Sequence, residues 1–312
     1  MTECERIVKE GIVPEDFLKE ETRCDFFVDS TRKKLWAILL DLYLEFERVC
    51  KKLGLRYFVT GGTLLGAIRH KGFIPWDDDF DVGMMREDFE ILKKNYKEFR
   101  HPYFLQTPYT DPESFFSFAK LRNDNTTFCS EVFSLQGMHA GVLLDIYPID
   151  YAVRKKTKLI YEIVKMLNLE NSTYMRMKNP WLSQKDQDRV KNWKKIDPLI
   201  AYEEIQHLAS GATKDEADCL SNAVDTIAKY GNDIYSKDAL DTMIEVNFEN
   251  IKVMVPSTYD TLLKGFYGNY MEFPPVEERG TWHSGYIIDP DTPYREGLKK
   301  YWEKIHPTSN KC

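Results

Sequence analysis

The chain has 312 residues and a formal net charge of −7 at pH 7, with 43% hydrophobic and 30% charged residues. That length and apolar content predict a soluble globular protein of one large domain or two ordinary ones. The acidic balance argues against nucleic acid as a partner, because binding its backbone needs a basic surface. No apolar run is long and uncharged enough for a transmembrane helix, and the N-terminus lacks a signal-peptide core, so we expect a cytoplasmic protein.

Cysteine and histidine spacing argues against a zinc site. The six cysteines include no CxxC pair, and the six histidines include no HExxH pattern. In a chain of this length the cysteines are interpreted as reduced thiols rather than as a disulfide framework.

The first half of the chain alternates predicted helices and strands. Residues 1–32 have no strong periodicity and predict an N-terminal arm. Apolar residues from Leu35 to Leu53 recur at spacings of three and four, which predicts an amphipathic helix that ends at Gly54. The residues after it predict a strand, a helix start, a strand, a helix and four short strands, at 55–60, 63–68, 80–84, 86–99, 103–107, 116–122, 127–132 and 141–147.

The second half predicts more helix. Helices are expected over 155–169, 186–195, 199–230 and 257–266, and a hairpin over 243–255 with its turn at Glu249-Asn250. The chain has no internal repeat and no low-complexity linker. We therefore predict an α+β protein that carries a helical insertion.

Charge is unevenly distributed along the chain. Residues 151–195 contain twelve Lys or Arg against four acidic residues, a net charge of about +8, and the remainder carries about −15. The segment is interpreted either as a solvated helical face or as a surface for an anionic partner. Residues 155–169 combine basic and apolar side chains as an interfacial membrane helix does, so peripheral membrane contact is one expectation.

The most informative stretch runs from Gly61 to Met84. Asp79 and Asp81 flank Phe80, so in an extended strand both carboxylates point to the same face, as ligands for Mg²⁺, or Mn²⁺, would. Gly61-Gly62, followed by Thr63, lies between a predicted strand and helix and is interpreted as a phosphate-holding turn, or as a tight turn alone. The neighbouring Asp77 and Asp78 are interpreted as part of a solvated acidic turn.

A third carboxylate is expected on another strand. Asp145 lies in the apolar run Gly-Val-Leu-Leu-Asp-Ile-Tyr-Pro, where burial of an unpaired carboxylate would cost several kcal/mol. Asp145 is therefore a candidate third metal ligand, or the base that activates an acceptor hydroxyl. Asp150 competes for this role but is interpreted as a turn or cap at the end of a strand.

The stretch GTLLGAIRHKGFIPWDDDFDVGM resembles the core motif of LicD-type phosphotransferases, which include the fukutin-related enzymes. The resemblance continues in AKLR at 119–122, LLDIYPID at 143–150 and VPSTYDTLLKGFYGNYMEFPP at 255–275. It implies a polymerase-β-like nucleotidyltransferase fold, a mixed sheet flanked by helices. Residues 33–150 would then form the catalytic core, 151–240 a helical insertion, and 241–312 the C-terminal part that completes the catalytic domain.

The resemblance also implies a reaction. LicD-type enzymes transfer a phospho-substituent, typically phosphocholine from CDP-choline, to a cell-surface glycan, its lipid-linked precursor or a teichoic acid precursor. Asp79 and Asp81 match the paired metal ligands, Asp145 the third carboxylate, and Gly62 with Thr63 the phosphate-holding turn.

Further donor-binding residues are expected around this motif. Arg69, His70 and Lys71 are candidates to neutralise a diphosphate, with an exposed basic turn as the alternative. Lys120 and Arg122 share a strand face and could reach phosphate, and Arg279 and His283 could close over the nucleotide. Trp76, Trp282 and Tyr147 are candidates for an aromatic box around a quaternary ammonium, with ordinary packing as the alternative.

Two other functions remain open from the sequence. One is a nucleotidyltransferase that places NMP on a small molecule. The other is a non-catalytic module that uses the basic segment to dock on an anionic membrane or polymer.

Overall fold

The computed structural model describes residues 1–130, 137–177, 197–225, 234–281, 283 and 286–305. Its helices are α1 (Glu3–Lys9), α2 (Ser30–Leu53), α3 (Gly61–Leu65), α4 (Arg86–Lys94), α5 (Arg154–Met177), α6 (Pro198–Ala209), α7 (Tyr259–Tyr267) and α8 (Tyr294–Ile305). A π-helix over Gly66–His70 continues α3, and short 3₁₀ turns cover Glu15–Leu18, Tyr96–Glu98 and Val276–Glu278.

The strands are β1 (Glu21–Arg23), β2 (Phe26–Val28), β3 (Phe58–Val59), β4 (Asp81–Met85), β5 (Tyr103–Gln106), β6 (Ala119–Asn123), β7 (Thr127–Cys129), β8 (Leu143–Ala152), β9 (Cys219–Ser221), β10 (Ile234–Ser236), β11 (Met243–Phe248), β12 (Ile251–Pro256) and β13 (Ile287–Asp289). Seven of them form one mixed sheet with the order β10-β9-β8-β4-β3, to which β6 and then β5 are added along β8. The pairing of β4 with β8 is parallel, and the other pairings in this sheet are antiparallel.

The central strand β8 organises the sheet because it pairs with three others. Its residues 145–149 lie beside β4, residues 143–146 beside β6, and residues 150–152 beside β9. The strand is buried along most of its length. It therefore fixes the mutual position of residues from β4 and β6, which are far apart in sequence.

Helix α2 packs against this sheet. The side chain of Asp29 caps its N-terminus by accepting a hydrogen bond from the amide of Arg32, and Gly54 ends it in the left-handed conformation. Tyr43 of α2 packs on Phe80, with ring centroids 5.1 Å apart. Phe80 and Val82 are fully buried, so the intervening Asp81 faces away from this part of the core.

The predicted α+β class is confirmed: a mixed sheet is flanked by helices. The helix from Leu35 and the hairpin at Glu249-Asn250 are also confirmed. The predicted helix over 199–230 is wrong from 210 to 225, because the helix ends at Ala209 and Cys219–Ser221 forms β9 and pairs with β8. Residues 226–230 lie outside the described residues. The predicted helix over 186–195 lies outside the described residues.

Within the described ranges, no helix is long and apolar enough to cross a membrane.

Candidate functional site

Three neighbouring strands bring two carboxylates and a lysine together. Asp81 of β4 is the register partner of Asp145 of β8, and Lys120 of β6 is the partner of Asp145 on its other side. Register partners on adjacent strands project to the same face of a sheet. The predicted pairing of Asp145 with the Asp79–Asp81 motif is therefore supported by strand register.

The glycine pair lies directly against the acidic motif, which comprises Asp77, Asp78, Asp79 and Asp81. Gly61 has a φ of +54°, and a Cβ built on it would lie 3.0 Å from Oδ2 of Asp81. A Cβ on Gly62 would lie 2.7 Å from Oδ2 of Asp77. The hydroxyl oxygen of Thr63 accepts a 2.8 Å hydrogen bond from the amide of Asp81. The turn therefore needs glycine so that two carboxylates can approach its backbone.

Lys120 is held between Asp145 and aromatic rings. Its ammonium donates to Oδ1 of Asp145 at 2.6 Å and lies 4.2 Å from the ring centroid of Phe116 and 4.5 Å from that of Phe118. Burial lowers the pKa of Lys120, although Asp145 opposes that shift. Tyr147 packs on Phe118, and its hydroxyl lies 3.5 Å from the other oxygen of Asp145.

The acidic motif carries more negative charge than its surroundings neutralise. Burial, followed by repulsion from Asp78 and Asp81, raises the pKa of Asp77 to about 7. Burial and the neighbouring carboxylates also raise the pKa values of Asp79 and Asp81 well above the ordinary value for Asp. Closely packed carboxylates of this kind are stabilised by a bound cation.

The interpretation of Asp77 and Asp78 as a solvated turn is wrong. Asp78 is only 2% exposed; the hydroxyl of Thr281 donates to one of its oxygens, and Nδ1 of His283 lies 2.8 Å from the other. Burial lowers the pKa of His283, but the hydrogen bond and charge of Asp78 outweigh it and raise that pKa overall. His283, predicted to bind nucleotide, therefore lies at the acidic motif, where its protonated form would offset part of the negative charge.

Arg122 is a buried cation without a carboxylate partner among the described residues. It is 3% exposed, and it donates to Oε1 of Gln106 at 2.5 Å and to the carbonyl oxygen of Gly141 at 2.7 Å. Burial lowers its pKa to about 10. A guanidinium whose hydrogen-bond acceptors, among the residues that the structure describes, are neutral is suited to binding an anion such as phosphate.

Arg69 and His70 form a separate cluster with the C-terminal segment. Arg69 donates to the carbonyl oxygens of Tyr270 and Glu272 and, through Nε, to Nε2 of His70 at 2.9 Å. His70 stacks on Phe273 with centroids 5.3 Å apart, and burial lowers its pKa to about 4. These contacts join the π-helix to the C-terminal segment.

Arg279 and Trp76 extend the same cluster. The Arg279 guanidinium lies 5.1 Å from the ring centroid of Trp76 and donates to the carbonyl oxygens of Cys24 and Pro274. Lys71 ends the π-helix with a φ of +59° and has an exposed side chain. The structure thus does not bring Arg69, Lys71 or Arg279 into direct contact with the carboxylates, and Trp282 lies outside the described residues.

The interpretation of Asp150 as a turn or cap is also wrong. Asp150 lies within β8, is 1% exposed, and accepts hydrogen bonds from Nε and Nη2 of Arg86 at 2.8 and 2.6 Å. This bidentate pair joins α4 to the sheet and leaves Asp145 as the carboxylate of β8 that faces the motif.

Sequence reasoning missed Asp77, Asp78 and Thr281 as parts of the site. The run of aspartates from Asp77 to Asp81 is evident in the sequence. The glycine pair upstream of this run indicates that a carboxylate packs against the glycine turn. The contact between Asp78 and Thr281 spans 203 positions and has no local sequence pattern.

Comparison with known proteins matches residues 54–204 to a family model described as LicD/FKTN/FKRP, nucleotidyltransferase domain. Lipopolysaccharide cholinephosphotransferase LicD of Haemophilus influenzae is 26% identical over 268 residues, which cover 83% of this chain and 98% of that relative. Human ribitol 5-phosphate transferase FKRP is 52% identical over 40 residues, 13% of this chain and 8% of that relative. The matched range includes Asp79, Asp81, Lys120 and Asp145.

Proposed function

The chain belongs to the LicD family, and on this basis we propose that it transfers phosphocholine, or a similar phospho-substituent, to a hydroxyl of a cell-surface glycan. The proposed donor is a CDP-activated alcohol such as CDP-choline, and the second product is CMP. Near-complete coverage of the Haemophilus cholinephosphotransferase supports phosphocholine and a lipopolysaccharide-type acceptor as first candidates. A lipid-linked glycan or teichoic acid precursor is the alternative acceptor. We further propose that the main sheet is a nucleotidyltransferase-like core, since the matched range contains β3 to β8.

The observation that carries this proposal is the register of β4 and β8. It places Asp81 beside Asp145, with Asp79 two residues before Asp81, and the glycine turn lies against Asp81 and Asp77. Such a set matches phosphoryl transfer, in which catalysis depends on positioning and charge neutralisation.

These carboxylates fit a divalent cation. Asp79, Asp81 and Asp145 supply hard oxygen donors, and burial, followed by repulsion from neighbouring carboxylates, raises the pKa values of the first two. These three residues would hold Mg²⁺, with Mn²⁺ as the alternative. When bound, the ion would supply Lewis-acid stabilisation of charge on the transferred phosphate.

The residues of the chain would divide the remaining work. The acceptor oxygen bonds to the phosphorus of the phosphocholine group while the bond to the bridging oxygen breaks, and that electron pair leaves with CMP. Lys120 fixes the carboxylate of Asp145, which we propose as a metal ligand and as the acceptor of the hydroxyl proton. Arg122 would hold a phosphate, and His283 would orient the motif through Asp78.

A direct test incubates the purified full chain with CDP-choline, Mg²⁺ and a choline-free lipooligosaccharide, and measures CMP and the mass of the acceptor. Equal amounts of CMP and phosphocholine-modified glycan support the proposal. Asp81→Asn is expected to abolish both products, whereas Asp16→Asn, which makes the same change at an exposed carboxylate, leaves them unchanged. Undiminished turnover by the Asp81 variant would refute the site assignment.

The family description favours a second candidate, because it names a nucleotidyltransferase domain. In that reaction an NMP group would be transferred from an NTP to a small molecule, with release of pyrophosphate. Pyrophosphate release with an NMP-linked product, and no CMP from CDP-choline, would support this reaction instead.

A further inference from the structure

Helix α5 carries large apolar side chains on its outer surface. Leu159 is 65% exposed and Met166 is 62% exposed; they are seven residues apart and therefore lie on the same face, two turns apart. The inner face is packed: Val164 is fully buried in a cluster that includes Ile205 of α6. The exposure of Leu159 and Met166 is therefore confined to the side of α5 that faces away from the sheet.

The same surface is strongly basic. Residues 154–169 contain five basic residues and one acidic residue, in a chain whose net charge is −7. Lys158 and Lys165, again seven residues apart, flank the apolar pair, and Lys155 lies one turn before Leu159. All three lysines are exposed. Interleaved lysines and apolar side chains on one helix face are typical of helices that lie in a membrane interface.

We propose that α5 docks on an anionic lipid bilayer, with Leu159 and Met166 entering the headgroup region and the three lysines contacting acidic headgroups. The charge distribution favours this occupant, because residues 154–169 carry a local excess of positive charge in an acidic protein, and an anionic surface attracts such an excess. This surface function goes beyond the proposed transfer reaction and does not depend on which group is transferred.

The expected loss of membrane binding follows from the number of lysines that are removed. Each basic residue near an anionic membrane contributes about 1 kcal/mol, which corresponds to about fivefold in partitioning. Loss of Lys155 and Lys158 together is therefore expected to weaken binding by about 25-fold, and the effect should disappear as salt screens the surface charge.

The test is co-sedimentation of the full chain with vesicles of equal phosphatidylglycerol and phosphatidylcholine, compared with pure phosphatidylcholine vesicles. We expect binding to the anionic vesicles only, weakened by 0.5 M salt and by the double change Lys155→Gln and Lys158→Gln. The double change Leu159→Gln and Met166→Gln should also weaken binding while leaving its salt dependence in place. Circular dichroism spectra matching the unmodified protein would show that each variant is folded.

The matched control is the double change Lys9→Gln and Lys19→Gln, which removes the same charge from exposed positions on the N-terminal arm. Equal loss in this control, or no binding of the unmodified protein to anionic vesicles, would overturn the assignment of α5. CMP release in the absence of vesicles, measured separately, distinguishes failure of this inference from failure of the transfer reaction. The α5 variants should retain CMP release in the absence of vesicles.

Discussion

Replacing Asp81 by asparagine is expected to stabilise the metal-free protein and to remove most of its response to Mg²⁺. The change keeps the size of the side chain and removes one negative charge from a set of carboxylates that includes Asp79 and Asp145. Burial, followed by repulsion from these two groups, raises the pKa of Asp81. A residue retained for metal binding at a cost in stability should show this opposition between stability and function.

The size of the expected gain in stability follows from the distance between neighbouring strands. Paired residues on neighbouring strands are about 5 Å apart, and two like charges at that distance repel by about 3 kcal/mol at an effective dielectric constant of about 20. Lys120 offsets part of this repulsion because it is paired with Asp145. We therefore expect the free energy of unfolding of the variant to rise by about 1–3 kcal/mol. For a chain of this size this corresponds to a rise in Tm of about 2–6 °C.

The assay is thermal unfolding at pH 7.5 with and without Mg²⁺. A ligand at about 100 times its Kd stabilises a folded protein by about 2.7 kcal/mol. Addition of Mg²⁺ should therefore raise the Tm of the unmodified chain by several degrees and that of the variant by much less. Asp16→Asn controls for the general effect of removing a carboxylate. A lower Tm for Asp81→Asn without metal, together with an unchanged Mg²⁺ response, would refute the reasoning.

Three further predictions concern other parts of the site. Gly61→Ala should reduce transfer about tenfold to 100-fold in a steady-state assay, because a side chain at its positive φ is strained and its Cβ would crowd the Asp81 carboxylate; unchanged activity would contradict this close approach. Arg122→Lys keeps the positive charge but loses the planar guanidinium with its paired N–H donors, so calorimetry should show at least tenfold weaker binding of CDP. Equal affinity would exclude Arg122 from phosphate binding. Burial and then Arg69 lower the pKa of His70 to about 4, so its contribution to stability is complete above about pH 6.5 and is lost as pH falls towards 4. Because the ring is partly exposed, the loss should be about 1–2 kcal/mol, and His70→Gln should flatten this part of the profile in urea unfolding; an equally steep profile would show that another group is responsible.

The sequence predicts those features that depend on local pattern. The apolar spacing from Leu35 identifies α2, and the alternation around Phe80 identifies the strand that carries Asp81. The placement of Asp145 in an apolar strand was also informative, because a buried carboxylate there needs a partner. These arguments use only neighbouring residues and the periodicities of helix and strand.

Features that depend on long-range pairing were not predictable in the same way. The contact between Asp78 and His283 joins residues 205 positions apart, and no local periodicity indicates it. Strand β9 was predicted as part of a helix because a segment of three residues is too short to show a periodicity of its own, and only its pairing with β8 identifies it as a strand. Asp150 was interpreted as a turn or cap because it follows Pro148, and no local pattern indicates that its partner is Arg86 of α4.

We propose that the carboxylates of β4 and β8 support transfer of a phospho-substituent from a CDP-linked donor. The most direct measurement is mass spectrometry of a glycan acceptor after incubation with the full chain, CDP-choline and Mg²⁺, with CMP quantified in the same sample. We expect a phosphocholine adduct on the glycan in equal amount to CMP, and neither product from Asp81→Asn. Phosphocholine transfer that persists in Asp81→Asn, or an NMP adduct with no CMP release, would contradict it.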